Sequence, residues 1–392
     1  MITIGGAGAF RPLAEAVVDL DAVAHNVRTL AGLTGAELLA VVKADAFGHG
    51  FLPVARTALA AGARWLGVTS RAEALTLRAA GVEAPVLSWL HAEDEDFGPV
   101  VAAGIDLSVA SVAHLRGIAA GAARAGVRAD VHLKADTGLS RNGAAESDWP
   151  ELVRAARSLE AVGRIRVRGV WSHLAGGDGP DDPRDIAQLR RFGRALALAR
   201  AAGLAPELVH LANSAALVGL PETHFDLVRA GIAVYGVEPL PARPAGLRPV
   251  MTLRSRVILT KRVAAGTGIS YGHDYVVAAP TTLALVPVGY ADGVPRAVAG
   301  AAQVWIRGRC HPVAGRVTMD QIVVDVGDLP VRTGDEVLLF GPGDRGEPSV
   351  VDWAGWAGTN PHEIFTGIGA RVGRRYLPVR AGRHTGRERV NV

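Results

Sequence analysis

The sequence predicts an α/β fold in which an N-terminal (β/α)8 TIM barrel precedes a smaller, mostly β domain. Three observations predict this arrangement. Between about residues 37 and 236, short apolar runs alternate with alanine-rich amphipathic segments, which is typical of βα units. There are eight such runs, the number that closes a barrel of this type. After a Pro- and Gly-rich passage at 237–250, strand-like runs dominate.

The eight apolar runs are predicted strands because they are short and rich in Val, Leu and Ile. In chain order they are ELLAVVKAD, RWLGVTS, APVLSW, GIDLSVA, ADVHLKAD, VRGVWSHL, PELVHLAN and FDLVRAG. Helical segments such as RAEALTLRAAG and DIAQLRRFGRALALARAAG lie between them, and the second reaches Gly203, a residue type that favours a helix C-terminus. Eight strands with eight crossovers favour a closed barrel over an open sheet.

The second domain is predicted from runs that are separated by Gly, Pro and Asp turns. These runs are MTLRSRVILTKRV, TTLALVPVGY, AQVWIRG, QIVVDV and DEVLLF. We therefore place the barrel domain at residues 12–240 and the β-rich domain at residues 246–380. The segment RPLAEAVVDLDA at 11–22 precedes the barrel runs, and its sequence leaves open which domain it packs on.

Composition indicates a globular protein without a membrane partner. The 392 residues allow a large core, and the fractions of hydrophobic (49%) and charged (20%) residues are ordinary. No apolar run approaches the roughly 18 residues that span a bilayer, and MITIGGAGAFRP lacks the parts of a signal peptide. Cys310 is the only cysteine, which excludes an intrachain disulfide and fits a reducing compartment. We expect a cytoplasmic location.

The formal charge of +4 does not indicate a nucleic-acid partner. The arginines are dispersed among 38 acidic residues, and no recognition motif accompanies them. Only the segment from Arg371 to the C-terminus is markedly basic, and we expect its end to be a solvated tail. The histidines show no pairing with Cys or Glu at metal-ligand spacing, so we expect no metal site.

Polar residues stand at the C-terminal ends of five of the eight predicted barrel strands, where barrels of this class carry their active sites. These residues are Lys43, Lys134 with Asp136, His173, Asn213 with Ser214, and Arg229. Lys43 is one of only three lysines in a chain whose positive charge is nearly all arginine. A lysine at this place suggests an amine that acts as a nucleophile or forms a Schiff base.

Two further features suggest phosphate binding beside this lysine. Arg229 precedes Gly231, which leaves backbone N–H groups free for an anion. Ser214 lies near the start of a predicted helix, where a hydroxyl and backbone N–H groups bind phosphate. A lysine, a phosphate site and an arginine at one end of a barrel suggest pyridoxal 5'-phosphate (PLP), bound covalently to the lysine. The alternative is another phosphorylated ligand that is bound without a covalent bond.

Seven motifs in matching order resemble the bacterial alanine racemase family over nearly the whole chain. They are AVVKADAFGHG, VHLKADTGLSRNG, LANSAA, VRAGIAVYG, SYGHDY, VPVGYADGVPR and AGRVTMDQ. The resemblance implies a PLP-dependent isomerase that interconverts L-alanine and D-alanine and supplies D-alanine for peptidoglycan. It also implies a barrel domain, a β domain and a head-to-tail homodimer with shared active sites.

By this resemblance, Lys43 and Tyr271 are the two catalytic acid/base groups, and Lys43 also holds PLP. The two groups lie on opposite faces of the cofactor, so one removes the Cα proton while the other delivers a proton from the other side. In the family the tyrosine comes from the partner subunit. A tyrosine is a poor base on its own, and the resemblance places the cofactor contacts Arg141 and His173 near it.

The resemblance also assigns roles to the remaining residues. Arg229 faces the pyridine nitrogen of PLP, and because an arginine offers no negative charge, that nitrogen stays unprotonated and the cofactor is a weak electron sink. His210 orients Arg229, and Lys134, which is carbamylated in many family members, braces Arg141. The further cofactor contacts are Asn213, Ser214, Gly231 and Ile232, and the substrate-binding residues are Arg141, Tyr290, Met319 and Asp320.

Four positions depart from the family's usual residues. Phe47 stands where the family usually has a tyrosine whose hydroxyl helps to hold the phosphate. His362, Gly367 and Gly373 stand where tyrosine, arginine and proline are more frequent. These departures leave open a racemase of the same fold that acts on another amino acid or on a broader set.

Two more distant alternatives concern the reaction itself. A protein that carries PLP without turnover needs Lys43 but has no need of Tyr271, so the presence of both argues against it. A barrel decarboxylase needs a stronger electron sink, which favours an acid at the position of Arg229.

Overall fold

The described chain, residues 12–176 and 182–379 of a computed structural model, begins with strand β1 (Ala14–Asp19) and helix α1 (Leu20–Gly32). Eight parallel strands then form a nearly closed barrel. They are β2 (Glu37–Val41), β3 (Trp65–Val68), β4 (Val86–Ser88), β5 (Asp106–Val109), β6 (Ala129–Lys134), β7 (Ile165–Trp171), β8 (Leu208–His210) and β9 (Leu227–Ala230). Their order is β8-β7-β6-β5-β4-β3-β2-β9. The predicted barrel is confirmed, and each of the eight predicted runs forms one of its strands.

Some of the helices around the barrel begin or end where the sequence supplies a cap. The helices around the barrel are α2 (Lys43–Gly48), α3 (Phe51–Ala60), α4 (Arg71–Ala79), α5 (Gly98–Ala102), α6 (Val112–Ala125), α7 (Trp149–Ala161), α8 (Pro183–Ala201) and α9 (Ser214–Gly219). Ser70 and Glu73 form a capping box at the start of α4. Gly203 follows α8 with a φ of 86°, a conformation that favours glycine. In the described ranges, no helix is long and apolar enough to cross a membrane.

The second domain is rich in strands, as predicted, and also contains two helices that the sequence analysis did not predict. Its strands are β10 (Met251–Arg256), β11 (Leu259–Val263), β12 (Gly268–Ile269), β13 (Tyr275–Val276), β14 (Thr281–Val286), β15 (Gln303–Ile306), β16 (Arg309–Pro312), β17 (Ile322–Gly327), β18 (Glu336–Phe340) and β19 (Gly373–Leu377). The helices are α10 (Val350–Ala357) and α11 (Pro361–Gly367). Strands β11, β14 and β17 form a three-stranded sheet, and β12 pairs with β13.

Strand β1 lies in the sheet of the second domain. It pairs antiparallel with β10 and parallel with β19, so the larger sheet has the order β16-β15-β18-β10-β1-β19. The barrel range 12–240 that was proposed from the sequence therefore includes β1, although the strands that pair with β1 in the described residues belong to the second domain. We propose that the barrel domain begins with α1. Residue 380, the proposed end of the second domain, lies outside the described residues, as does the basic tail after it.

The pattern of buried residues along a strand depends on the sheet to which the strand belongs. Strands β3 and β5 are buried at every residue, because a parallel barrel sheet is covered by helices outside and by side chains inside. Strands β10 and β17 alternate between buried and half-buried residues, as antiparallel strands with one covered face do. One hydrophobic core runs through both domains, which holds them in a defined arrangement.

Candidate active site

The C-terminal ends of the barrel strands surround a cavity of about 720 Å³. All of the cofactor-binding residues predicted from the sequence line it: Lys43, Arg141, His173, Asn213, Ser214, Arg229, Gly231 and Ile232, together with Lys134. Asn360 and His362, at the start of α11, reach the same cavity from the second domain. The site therefore lies where the two domains meet.

Four predicted residues lie in the second domain. Tyr271, Tyr290, Met319 and Asp320 surround a second concavity of about 560 Å³ in the β-rich domain. Tyr271 is 74% exposed, and Arg371 donates a 2.8 Å hydrogen bond to Asp320. In a single chain the predicted site residues thus form two groups, one around Lys43 and one around Tyr271.

Lys43 begins an unusual turn. The next four residues, Ala44 to Phe47, have φ between 52° and 54° and ψ between 42° and 54°, which is the left-handed helical conformation. A side chain with a Cβ atom adopts this conformation at a cost of roughly 1–2 kcal/mol per residue. Strain of this kind persists only where the surrounding structure holds the backbone in place.

The turn is held by hydrogen bonds at both of its ends. Glu73, the capping residue of α4, accepts a 2.8 Å bond from the backbone N–H of Ala44. Asp45 accepts a 2.8 Å bond from the N–H of Phe51, the first residue of α3. Arg374 of β19 donates to the carbonyl of Gly48 at 3.0 Å. Two barrel helices and one strand of the second domain thus fix the backbone that carries Lys43.

Arg229 lies at the floor of the cavity and is only 4% exposed. Its guanidinium lies 3.0 Å from Nδ1 of His210 and donates to the carbonyls of Ser172 and Leu211 at 2.8 and 2.9 Å. Burial lowers the pKa of Arg229 to about 9, so the group is still charged at neutral pH. No carboxylate is among its hydrogen-bond partners in the described part of the chain. His210 therefore contacts Arg229, and its expected role of orienting Arg229 stays a prediction.

The lysine amines of the cavity are less basic than usual. Burial lowers the pKa of Lys134 to about 7, with further lowering by Arg229 and Arg141. Burial also lowers the pKa of Lys43, and the positive charge of Arg141 lowers it further. Burial, followed by the cations around it, also holds the pKa of His173 well below its usual value. A cavity lined by this many cationic groups favours an anionic ligand.

A small recess for an anion lies between Ser214 and Gly231. The hydroxyl oxygen of Ser214 accepts a 2.9 Å hydrogen bond from the N–H of Gly231. A Cβ atom placed on Gly231 would lie 3.7 Å from Cζ of Phe47 and 3.9 Å from the hydroxyl oxygen of Ser214. The para carbon of Phe47 therefore faces the same recess. Since Phe47 offers no hydroxyl there, the polar contacts come from Ser214 and from the backbone.

Sequence reasoning missed Trp171, which supports the charged floor of the cavity. Its ring stacks on His210 with centroids 5.3 Å apart and an interplanar angle of 9°. Nζ of Lys134 lies 4.4 Å from the ring centroid, and the guanidinium of Arg229 lies 4.8 Å from it. Aromatic faces attract cations, so this ring partly offsets the burial of both charges. A large aromatic residue at the end of a barrel strand is the signal that could have identified it.

Comparisons with known proteins agree along both domains. Residues 18–239 match the family described as "Alanine racemase, N-terminal domain", and residues 250–376 match "Alanine racemase, C-terminal domain". The alanine racemase of Frankia casuarinae is 55% identical over 367 residues, which cover 92% of this chain and 96% of that protein.

Solved structures agree with this result. Alanine racemase from D-cycloserine-producing Streptomyces lavendulae has a TM-score of 0.92 at 48% identity, covering 94% of this chain and 98% of that one. Alanine racemase from Bartonella henselae, solved with covalently bound pyridoxal phosphate, has a TM-score of 0.85 at 31% identity, covering 94% of this chain and 100% of that one.

The lowered pKa of Lys134 predicts a pH-dependent cost to the folded state. Between the folded value of about 7 and the ordinary value of 10.5, the unfolded chain binds more protons at this group, so wild-type stability rises with pH. Lys134→Met removes this dependence. We expect the free energy of unfolding of the variant to exceed that of the wild type, and this difference to fall by roughly 2–3 kcal/mol between about pH 7 and pH 9.5.

Urea unfolding in carbonate-free buffer measures the two free energies of unfolding at each pH. Lys261→Met is the control, because Lys261 is exposed on β11 and away from the cavity. A difference between Lys134→Met and wild type that stays constant across this pH range would contradict the prediction.

Proposed function

The chain belongs to the alanine racemase family, and on this premise we propose that it interconverts L-alanine and D-alanine with PLP as cofactor. One observation carries the proposal. Lys43, whose amine has a lowered pKa, and the buried Arg229 line the same cavity as the recess between Ser214 and Gly231, which suits an anion. We further propose that the enzyme acts in the cytoplasm and that its D-alanine supplies peptidoglycan synthesis.

The residues of the cavity fit PLP. Lys43 offers the amine that would hold the cofactor covalently. Ser214, Gly231 and Ile232 surround the recess that suits the phosphate, and the small space above Gly231 would be filled by a Cβ atom. Arg229 offers a buried N–H donor that suits the pyridine nitrogen. When bound, PLP withdraws electron density from the substrate Cα and makes its C–H bond acidic.

Arg229 restricts the chemistry to proton movement. A guanidinium with neutral acceptors around it stays charged and donates, so a ring nitrogen facing it stays unprotonated. Carbanion stabilisation is then weaker than with an acid at this position. Since transamination and decarboxylation depend on strong stabilisation, this arrangement favours return of a proton to Cα over those reactions.

Lys43 is suited to take or give a proton on one face of the substrate. Its lowered pKa, caused by burial and by Arg141, raises the fraction of neutral amine at neutral pH. Glu73 opposes this shift, and it accepts a hydrogen bond from the backbone N–H of Ala44, which holds the backbone next to Lys43 in place. These properties support Lys43 as one of the two acid/base groups.

Tyr271 is the proposed group on the opposite face, and it is supplied by a second copy of the chain. Racemisation by two bases needs one group on each side of Cα. Tyr271 is exposed in a separate concavity with Tyr290, Met319 and Asp320, which supports a head-to-tail homodimer in which this surface covers the Lys43 cavity of the other subunit. Arg141, Met319, Asp320 and Tyr290 would then contact the substrate.

Deuterium incorporation tests the reaction. The protein with PLP is mixed separately with L-alanine, L-serine and L-lysine in D2O, and NMR with chiral analysis follows the products. We expect Cα-deuterated alanine of both hands, because each inversion replaces the Cα proton with one from solvent. Exchange with serine or lysine alone would identify a racemase of another specificity, and bound PLP without exchange of any substrate would contradict the proposal.

Mixed dimers test the shared site. Lys43→Ala and Tyr271→Phe homodimers should each lose most racemisation, although Tyr271→Phe should retain the visible absorbance of bound PLP. A dimer with one subunit of each kind contains one site with both substitutions and one unaltered site. We therefore expect purified mixed dimers, prepared with two affinity tags, to recover about half of the wild-type kcat. Mixed dimers no more active than their parents would contradict a site built from two subunits.

Because Phe47 has no hydroxyl group, we predict that the protein binds the phosphate of PLP weakly. Its para carbon faces the recess at Gly231, so Phe47→Tyr would place a hydroxyl beside the phosphate. A hydrogen bond to a charged group contributes roughly 1.5–3 kcal/mol, so we expect PLP affinity to rise about tenfold or more. Fluorescence titration measures it. Phe225→Tyr, which adds a hydroxyl at a half-exposed site outside the cavity, is the control, and equal affinity of Phe47→Tyr and wild type would contradict the prediction.

A further inference from the structure

A buried polar relay runs from the floor of the cavity into the barrel interior. It consists of Arg229, His210, His132 and Asp106, all at most 4% exposed. Nη1 of Arg229 lies 3.0 Å from Nδ1 of His210, and Nε2 of His210 lies 2.9 Å from Nδ1 of His132. Nε2 of His132 lies 3.0 Å from Asp106. Arg168, which is partly exposed, donates to Asp106 from the far side at 3.1 Å.

The relay occupies space that barrels usually fill with branched apolar side chains. A buried polar group left without a partner costs about 1–3 kcal/mol, so each member depends on the next. Strand β7 accommodates the relay through Gly169. A Cβ atom on Gly169 would lie 2.1 Å from Nδ1 of His132, the atom that faces His210. The barrel wall thus lacks a side chain at the point where the two imidazoles meet.

The two ends of the relay impose the same order on its protons. A carboxylate only accepts, so Asp106 requires a proton on Nε2 of His132, whose Nδ1 is then an acceptor. His210 must donate to that acceptor from Nε2, which leaves its own Nδ1 bare. A guanidinium only donates, and the bare Nδ1 of His210 is the acceptor that Arg229 requires. One tautomer of each imidazole satisfies all three bonds.

We propose that Asp106 and His132 are positioning residues for racemisation: they hold His210 in the tautomer that accepts from Arg229 and thereby aim the guanidinium at the ring nitrogen of the cofactor. This inference rests on the proposed function, because it concerns the same arginine. Neither residue touches the cavity, so both act through His210.

Loss of the relay has a defined consequence at the cavity floor. Without the carboxylate, only Arg229 still favours a bare Nδ1 on His210, and nothing at the far end requires the proton on Nε2 of His132. His210 then carries its proton on Nδ1 in part of the molecules. An N–H group of His210 would then face an N–H group of Arg229. The guanidinium would lose one of its acceptors and its fixed orientation, and control over the ring nitrogen would weaken.

The test measures tautomers directly in the full-length enzyme labelled with 15N-histidine. In the wild type with PLP, we expect His210 and His132 each to show a protonated Nε2 and a bare Nδ1. We also expect a through-hydrogen-bond coupling between Nε2 of His210 and Nδ1 of His132, which is the only imidazole pair within hydrogen-bond distance in the described ranges. A protonated Nδ1 on His210 in the wild type would overturn the proposal without any variant.

Asp106→Asn keeps the shape of the side chain and removes the charge. We expect a mixture of tautomers at His210, a kcat for racemisation lowered about tenfold or more with KM for alanine nearly unchanged, and a larger share of transamination. Asp130→Asn is the matched control. Asp130 lies on the neighbouring strand β6, where it bonds Arg166 and lies 4.0 Å from Arg168, but it contacts no member of the relay. Its substitution therefore controls for the loss of a carboxylate beside Arg168, and we expect wild-type tautomers and kcat.

A second variant tests the relay without changing any charge. Gly169→Ala should displace His132, abolish the coupling and lower kcat as Asp106→Asn does, whereas Gly193→Ala adds a methyl group in α8 with no atom within 4 Å and should change neither. Wild-type tautomers or wild-type kcat in both relay variants would overturn the proposal. The NMR measurement of the tautomers does not require turnover. A wild type that does not racemise alanine would therefore refute the proposed function, while the tautomers of His210 and His132 could still be measured.

Discussion

The charge of Arg229 is buried and contacts no carboxylate among the described residues, and this is the constraint on which the rest of the site depends. Removing Arg229 from water is costly unless its donors are all occupied. The barrel meets this need with two backbone carbonyls, the imidazole of His210 and the face of Trp171. Each of these groups must in turn be held in place, which explains why polar side chains continue so far into an otherwise apolar interior.

The barrel and most of the cavity could be predicted from sequence because the signals are local. Each strand is one apolar run, and residues after successive parallel strands must meet at one end of the barrel. The pairing of β1 with β10 and β19 could not be predicted, since it joins segments more than 200 residues apart. Asp106 and His132 were missed because their hydrogen-bond partners lie on other strands. An apolar run that contains one polar residue has the same sequence pattern whether or not that residue is hydrogen-bonded to a residue of another strand.

The division of the predicted residues into two groups also has a physical reason. Motif order along the chain does not tell which surfaces face each other, and Tyr271 is on a short turn of the second domain, far in sequence from Lys43. The first and last described strands, β1 and β19, are neighbours in one sheet, and Arg374 on β19 bonds the backbone of the Lys43 turn. The second domain therefore contributes to the barrel cavity in its own chain and presents its tyrosine outward.

The left-handed turn after Lys43 has a consequence for the order in which the molecule opens. Four residues with unfavourable backbone conformations are relieved of strain when their anchors release, whereas the strands beside them have no such strain to release. Opening the turn therefore costs less than opening a segment with the same anchors and a relaxed backbone would. An open turn exposes the lysine amine and widens the way into the cavity. The segment that fixes Lys43 for chemistry is thus also one whose opening would widen the cavity for a large, charged cofactor.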